Sequence, residues 1–344
     1  MKKILVTGGC GYIGSHTIVS LIEHGYEVIS IDSLERGKSY VPDRVKLITG
    51  RSFHNHQVNL CNLKSTRYVF ETHNDIAGII HFAAYKMVGE SVEKPLRYYG
   101  NNLISLMNIL ICLREFNVSN FIFSSSSAVY GNINELPVKE ETPVYEQESP
   151  YGRTKYFGEK MIADFQNTTA FSTLILRYFN PAGCHESALL GEPIEENPAN
   201  IIPAITKTAA GKQPEFIVNG ADYPTRDGSC IRDYIHVMDV AEAHVMALEY
   251  LVNQSEKKSL LDIINLGIGN GVSVLEMVHA FEKATGVKLP YRIGQRRPGD
   301  ASAVYSDISK AEKLLGWKPN RSLEEMMLSA WKWELANKKL EGAN

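Results

Sequence analysis

A doubly wound parallel α/β sheet is the fold that this sequence predicts, and three observations predict it. Short apolar runs alternate with helix-spaced segments from Lys3 to Tyr178, the first run flows directly into a glycine-rich turn, and the second ends in an acid, Asp32. Strands that alternate with helices this regularly need crossover connections on both faces of a parallel sheet, which puts ligands outside the carboxyl ends of the strands.

Taken in order, Lys3 to Thr7 reads as a buried strand followed by Gly8-Gly9-Cys10-Gly11-Tyr12-Ile13-Gly14 and a helix marked by Ile18, Leu21 and Ile22. Gly9, Gly11 and Gly14 fit G-x-G-x-x-G. Glycines there permit a tight turn and a close approach of backbone to a pyrophosphate, while the helix N-terminus offers free N–H groups. The next strand, Glu27 to Ile31, delivers Asp32 near the offset where an acid takes the adenosine ribose hydroxyls, so a Rossmann dinucleotide site is expected, with NAD favoured over NADP. Arg36 is the one counter-signal, otherwise a loop cation near the phosphates. The alternation continues through an expected strand at Val45 to Thr49, a helix near Leu63 to Thr72, a strand at Ile76 to Phe82, a helix from Pro95 to Phe116 and a strand at Asn120 to Ser125. A helix bearing Tyr151 and the strand Thr173 to Tyr178 complete this half. Residues 50–58 fit no element and are expected to form a surface loop; His54 and His56 lack a third metal ligand nearby.

Past Tyr178 the texture changes to stretches rich in Pro, Gly and Asn, at Pro181 to Pro203 and Pro214 to Ser229, which are expected to be irregular. A helix near Asp239 to Leu251 and a strand near Leu261 to Leu266 return to the first domain, and helices at Val274 to Thr285 and Leu323 to Lys338 follow. The expected division is residues 1–180 as a dinucleotide-binding domain, with a return near 235–267, and 181–344 as a smaller interleaved α/β substrate-binding domain.

The 344 residues carry 36 basic and 39 acidic side chains, a net charge of −3, with no basic stripe or polybasic cluster, which disfavours nucleic-acid and membrane partners. Three apolar residues before Gly8 are too few for a signal-peptide core, so a cytoplasmic protein is expected. Five scattered cysteines without C-x-x-C spacing signal neither a disulfide framework nor a zinc site. No metal is expected.

The chemistry concentrates at Ser149-Pro150-Tyr151-Gly152-Arg153-Thr154-Lys155, with the serine run Ser124 to Ser127 upstream. Tyr-x-x-x-Lys on one helix face sets a phenol beside an ammonium. A tyrosine titrates near ~10 in water, so it acts as a general base at neutral pH only where positive charge favours the phenolate. Lys155 is expected to supply that charge.

With the glycine turn, the serines and Tyr151-x-x-x-Lys155 in this order, the chain resembles the extended short-chain dehydrogenase/reductases that act on nucleotide sugars. His81-Phe82-Ala83-Ala84-Tyr85-Lys86, Val88-Gly89-Glu90-Ser91, Tyr99 with Asn101-Asn102, Arg177 to Pro181, Asp222-Tyr223-Pro224-Thr225 and Arg232 to Val237 narrow the likeness, over essentially the whole length, to those that epimerise UDP-hexoses at C4. The resemblance implies NAD-dependent interconversion of UDP-galactose and UDP-glucose and a homodimer formed through the Pro95–Phe116 and Tyr151–Phe165 helices. Ser126 is followed by Ser127-Ala128, not by the Asp-Glu pair that a related dehydratase uses to eliminate water.

By the same resemblance Tyr151 is the base, Ser126 bonds the reacting oxygen and Lys155 holds the nicotinamide ribose. Gly8, Gly11, Tyr12, Ile13 and Gly14 lie at the pyrophosphate, and Asp32, Ser33, Arg36 and Gly37 along the adenosine. Asn59, Leu60, Phe82, Ala83, Ala84, Lys86, Asn101 and Phe179 flank the rest of the cofactor. Lys86, Asn180, Asn200, Ile201, Ile217, Val218, Asn219, Arg232 and Arg297 to Asp300 line the UDP-sugar site. Departures from the family pattern are Asn59, where an Asp usually accepts from adenine, Ser33 and Arg36, and Val304, where a Tyr in some relatives blocks an N-acetyl group at C2. Val304 therefore extends the expectation to UDP-GlcNAc and UDP-GalNAc. The rival readings are another nucleotide-sugar epimerase or decarboxylase, a net NAD(P)-dependent oxidoreductase, and a catalytically inactive NAD-binding regulator.

Overall fold

The computed structural model describes residues 1–131, 133, 135–193, 200–253, 259–297 and 300–341. In its first half run β1 (Lys3–Thr7), α1 (Tyr12–Glu23), β2 (Glu27–Ile31), α2 (Val41–Thr49), β3 (His54–His56), α3 (Leu63–Thr72) and β4 (Ile76–His81). α4 (Val88–Glu93), α5 (Pro95–Glu115), β5 (Asn120–Ser126), α6 (Pro150–Gln166) and β6 (Ser172–Tyr178) follow. The second half holds β7 (Asn180–Ala182), α7 (Ile201–Ala209), β8 (Phe216–Asn219), β9 (Ile231–Arg232), β10 (Tyr234–His236), α8 (Val237–Val252) and β11 (Leu261–Leu266). It ends with β12 (Val272–Ser273), α9 (Val274–Thr285), β13 (Tyr291–Gly294), β14 (Ala303–Val304), α10 (Ser309–Leu315) and α11 (Leu323–Glu341).

The central sheet has seven parallel strands in the order β11-β6-β5-β4-β1-β2-β3. From β1 the chain winds one way to β3 and then the other way from β4, so the crevice opens at the ends of β1 and β4. β1 shows why these strands are almost wholly apolar: Ile4 and Val6 enter one core cluster with Ile18 and Leu21 of α1 and Val240 and Leu248 of α8, whereas Leu5 enters the other with α5 residues Leu106, Ile109 and Leu110. Both faces are covered, so alternation disappears. Truncating such a buried leucine to alanine costs about 2–5 kcal/mol.

Two expectations need correction. Val45 to Thr49 is the end of helix α2, not a strand; Val41 and Val45 lie one turn apart on the buried face, Pro42 sits in the first turn, and Gly50 at φ 70° stops the helix. The third strand is instead His54–His56, inside the segment expected to be a loop. It pairs with β2 alone at the sheet edge, so its backbone is engaged while its polar side chains need no apolar neighbours. His56 Nε2 lies 2.9 Å from His73 Nε2, and among the described residues no group of three or more side chains could hold a metal ion.

β11 pairs with β6 at the far sheet edge. The stretches expected to be irregular contain β8, the last two residues of β7 and the first three of α7. Around them α7, α9, α11 and β8 share a separate core with Ile205, Val218, Met277, Phe281 and Met327. Small sheets β10-β7, β12-β9-β14 and β13-β8 bind these segments together. No described helix is long and apolar enough to cross a membrane.

Candidate active site

One cleft of about 940 Å³ runs from the glycine turn, past the carboxyl ends of β4, β5 and β6, to a wall made by α7, β8, β9 and β14. At its first end, Gly8 takes φ 71° and Gly11 precedes α1 without a side-chain cap, so the first-turn N–H groups face the cleft with no intrahelical acceptor. A Cβ on Gly14 would sit 2.2 Å from the Gly8 carbonyl oxygen, and one on Gly8 would sit 2.8 Å from the Ala83 nitrogen. The turn therefore exists only with glycine. Asp32 is fixed by Cys10 N–H at 3.0 Å and Leu34 N–H at 2.9 Å. Each carboxylate oxygen can accept a further hydrogen bond, so the backbone cradle and acid fit a dinucleotide pyrophosphate and ribose. Ser33, Gly37, Asn59, Leu60, Phe82, Ala83, Ala84 and Asn101 line the same end. Asn59 Oδ1 already accepts from Cys61 N–H at 2.9 Å, leaving one lone pair for a ligand.

At mid-cleft, Ser149 caps α6 by accepting from Gly152 N–H at 3.2 Å, and Pro150 occupies the first turn, which fixes where Tyr151 emerges. Ser126, at the end of β5, lines the cleft together with Tyr151. Burial raises the Tyr151 pKa above its ordinary value, and the Ser126 side chain and the Lys86 charge oppose that rise. Lys155 behaves differently from expectation: its ammonium donates to the Ser124 carbonyl at 2.6 Å, and burial pushes it down to about 8. Among the protein's cations it is the Lys86 charge that favours the phenolate, against the burial that opposes it.

Beneath these groups Glu159 and Arg177 form a buried pair, with Arg177 Nε to Glu159 Oε1 at 2.9 Å and Ser125 Oγ donating to Oε1 at 2.5 Å. Arg177 also lies over the Tyr130 ring at 4.7 Å. Asn102 clamps the Tyr85 backbone, accepting from its N–H at 2.8 Å, and reaches Thr154 Oγ1 at 2.9 Å. These contacts tie the loop after β4 to α6.

At the far end, Arg232 Nη2 donates to Asp300 at 3.1 Å and Nη1 to the Ala301 carbonyl at 2.9 Å. Asn219, with its amide oxygen toward Arg297, accepts from Nε at 3.1 Å. Asn180, Phe179, Asn200, Ile201, Ile217 and Val304 line this end too. Val218 does not: strand alternation turns Ile217 and Asn219 to the cleft and leaves Val218 fully buried in the core. Residues 298 and 299 of the expected Arg297–Asp300 wall lie outside the described residues.

Sequence reasoning missed Glu35, Tyr98 and Glu192, all on the cleft wall. Glu192 accepts from Lys86 Nζ at 3.0 Å and Asn200 Nδ2 at 2.5 Å, and the Trp333 indole holds its carbonyl at 2.6 Å. Its only sequence signal is one acid among three in the Pro- and Asn-rich run Gly191 to Asn200. Conversely, the motif Arg232 to Val237 is partly architectural. Asp233 is buried and accepts from Ile268 N–H at 2.7 Å and Ser306 N–H at 2.9 Å, and His236 caps α8.

The chain matches the family model described as GDP-mannose 4,6 dehydratase over residues 5–329. It is 44% identical over 341 residues to UDP-glucose 4-epimerase 2 of Arabidopsis thaliana, covering 98% of this chain and 96% of that one. The UDP-glucose 4-epimerase of Bacillus subtilis (strain 168) is 44% identical over 335 residues, 97% of each chain. The crystal structure of the Stenotrophomonas maltophila UDP-glucose-4-epimerase with bound NAD and formylated UDP-arabinopyranose superimposes with a TM-score of 0.95 at 42% identity, covering 99% of this chain and 100% of that one. The chain belongs to the UDP-glucose 4-epimerase family.

Proposed function

We propose that this protein interconverts UDP-galactose and UDP-glucose by reversible, NAD-dependent oxidation at C4 of the hexose. The observation that carries this reading is the single cleft in which Ser126 and Tyr151 stand between a glycine-turn cradle and an arginine-bearing wall. Residues 1–180, with 235–267, hold the dinucleotide, and 181–344 mainly the UDP-sugar. The glycine turn and Asp32 would hold NAD, which would supply the hydride acceptor and a positive charge that adds to that of Lys86 in favouring the Tyr151 phenolate.

Tyr151 then takes the proton of the sugar 4-OH as the C4 hydride departs, and gives it back when the hydride returns to the other face of C4. Ser126 bonds the same oxygen. Lys155 holds ribose hydroxyls, and Arg232 and Arg297 bind the diphosphate through paired N–H donors. Asn180, Asn200, Ile201, Ile217 and Asn219 fix the uridine and sugar. No carboxylate follows Ser126, where Ser127 and Ala128 line the cleft, so epimerisation is favoured over loss of water. Val304 pairs with Arg232 at the sugar wall, and its small side chain supports a second reading in which UDP-GlcNAc and UDP-GalNAc are also substrates.

Leu96, Ile104 and Met107 of α5 and Phe157 of α6 are exposed apolar side chains, and they support a homodimer through these two helices. The lack of a membrane-crossing helix among the described residues supports a cytoplasmic location. Incubating the purified protein with UDP-galactose and separating the UDP-sugars tests the function. UDP-glucose without net NADH is expected; NADH formed in step with sugar consumed would make the protein a net oxidoreductase.

A further inference from the structure

Arg36 stands four residues beyond Asp32 on the segment after β2, where an arginine in this type of fold can accommodate the 2′-phosphate of NADP. It lines the cleft, and its side chain is half-exposed. Its Nη2 nonetheless donates to both carboxylate oxygens of Glu90, at 2.8 and 2.7 Å. Glu90 is carried on α4, in the segment after β4. Because β2 and β4 flank β1 in the sheet, the Arg36–Glu90 pair reaches across the crevice above the glycine turn.

Glu90 is itself held in place. Tyr98 OH donates to it at 3.0 Å, Arg97 Nη1 at 3.2 Å, and Lys94 Nζ lies at 3.7 Å. Arg97 has a second carboxylate in Glu35, which also accepts from Tyr85 OH at 2.7 Å. With its side chain only 17% exposed, Glu90 is a fixed acceptor, not a solvated surface acid.

We propose that Glu90 makes the site selective for the dinucleotide that lacks a 2′-phosphate, by capturing the guanidinium of Arg36. The inference rests on the dinucleotide reading given above. A 2′-phosphate, near −2 in charge, has to compete with Glu90 for Arg36 while facing Asp32; a 2′-hydroxyl needs only the Asp32 acceptor. Glu90 is thus a specificity residue that acts through Arg36.

The test is to incubate wild type, Glu90→Gln, Glu90→Ser and the double variant Glu90→Gln/Arg36→Ala with an equimolar mixture of NAD and NADP. The bound dinucleotide is then released by denaturation and quantified by chromatography. Either Glu90 substitution is expected to raise the NADP-to-NAD ratio about tenfold, the size of one freed charge-assisted contact, and the double variant is expected to return it to the wild-type value. An unchanged ratio in both single variants, or an equal rise in the double variant, overturns the proposal alone. Wild type that takes up neither dinucleotide overturns the dinucleotide reading and this proposal with it.

Discussion

The two ends of the cleft are built by different means. At the dinucleotide end the pyrophosphate cradle is backbone, one turn of seven residues in which Gly8 and Gly14 leave no room for a Cβ, and beside it Asp32 is fixed by two N–H groups. At the sugar end the ligand-facing surface is side chain, gathered from positions 180, 219, 232 and 304 on the short strands of the small sheets and from 86, 192, 200, 297 and 300 on the segments between elements. A backbone site is local and rigid, and any added atom destroys it. A side-chain site is dispersed and can be retuned one contact at a time.

The largest effect should appear where the two ends meet. Tyr151→Phe is expected to lower turnover by about 10²–10⁴-fold, the usual range for loss of a general acid–base, while leaving bound dinucleotide intact on chromatography. Near wild-type turnover would remove the phenol from the chemistry. Glu159→Ala probes the common floor: it strands the buried Arg177 charge, so unfolding free energy by denaturant titration should fall by about 3–5 kcal/mol. A loss under ~1 kcal/mol would show the pair to be dispensable.

Two substitutions sharpen the contrast directly. Gly14→Ala forces a Cβ onto the Gly8 carbonyl, with about 1–3 kcal/mol of strain expected, and the protein should lose its dinucleotide as measured by release on denaturation. Val304→Tyr should leave the dinucleotide in place and lower the rate on UDP-GlcNAc relative to UDP-glucose by roughly tenfold or more. An unchanged ratio would show that this position does not gauge the C2 substituent.

The smallest effect is a pH dependence. Burial holds Lys155 at about 8, below its ordinary value, so in the alkaline range above about 8 the unfolded chain binds more protons than the folded one. Stability contributed by this group therefore rises with pH through that window, and the cost of the buried charge is full below it. The denaturant midpoint of wild type should rise toward that of Lys155→Met between about pH 8 and 10. A constant difference would mean that Lys155 titrates elsewhere.

The same contrast explains what the sequence could disclose. The glycine turn and Tyr151-x-x-x-Lys155 are each built from residues a few positions apart, and Asp32 follows at the end of the next strand, so spacing places these side chains on their elements. β3 was hidden because an edge strand reading His-Asn-His has no apolar period, and α2 was mistaken for a strand because its buried face is only two valines one turn apart. Glu192 was hidden for a different reason. Its partners Lys86, Asn200 and Trp333 meet only in the folded chain. The charge balance at Tyr151 was likewise illegible, because helical spacing put Lys155 beside the phenol but could not show that its ammonium turns to the Ser124 carbonyl.

The most direct test of the central claim is to follow the hydrogen at C4. UDP-galactose deuterated at C4, converted in unlabelled solvent and read by mass spectrometry, should yield UDP-glucose that keeps the deuterium at C4, because the hydride departs and returns within one closed site. Deuterium lost to solvent, or captured in free NADH without any UDP-glucose, would contradict it.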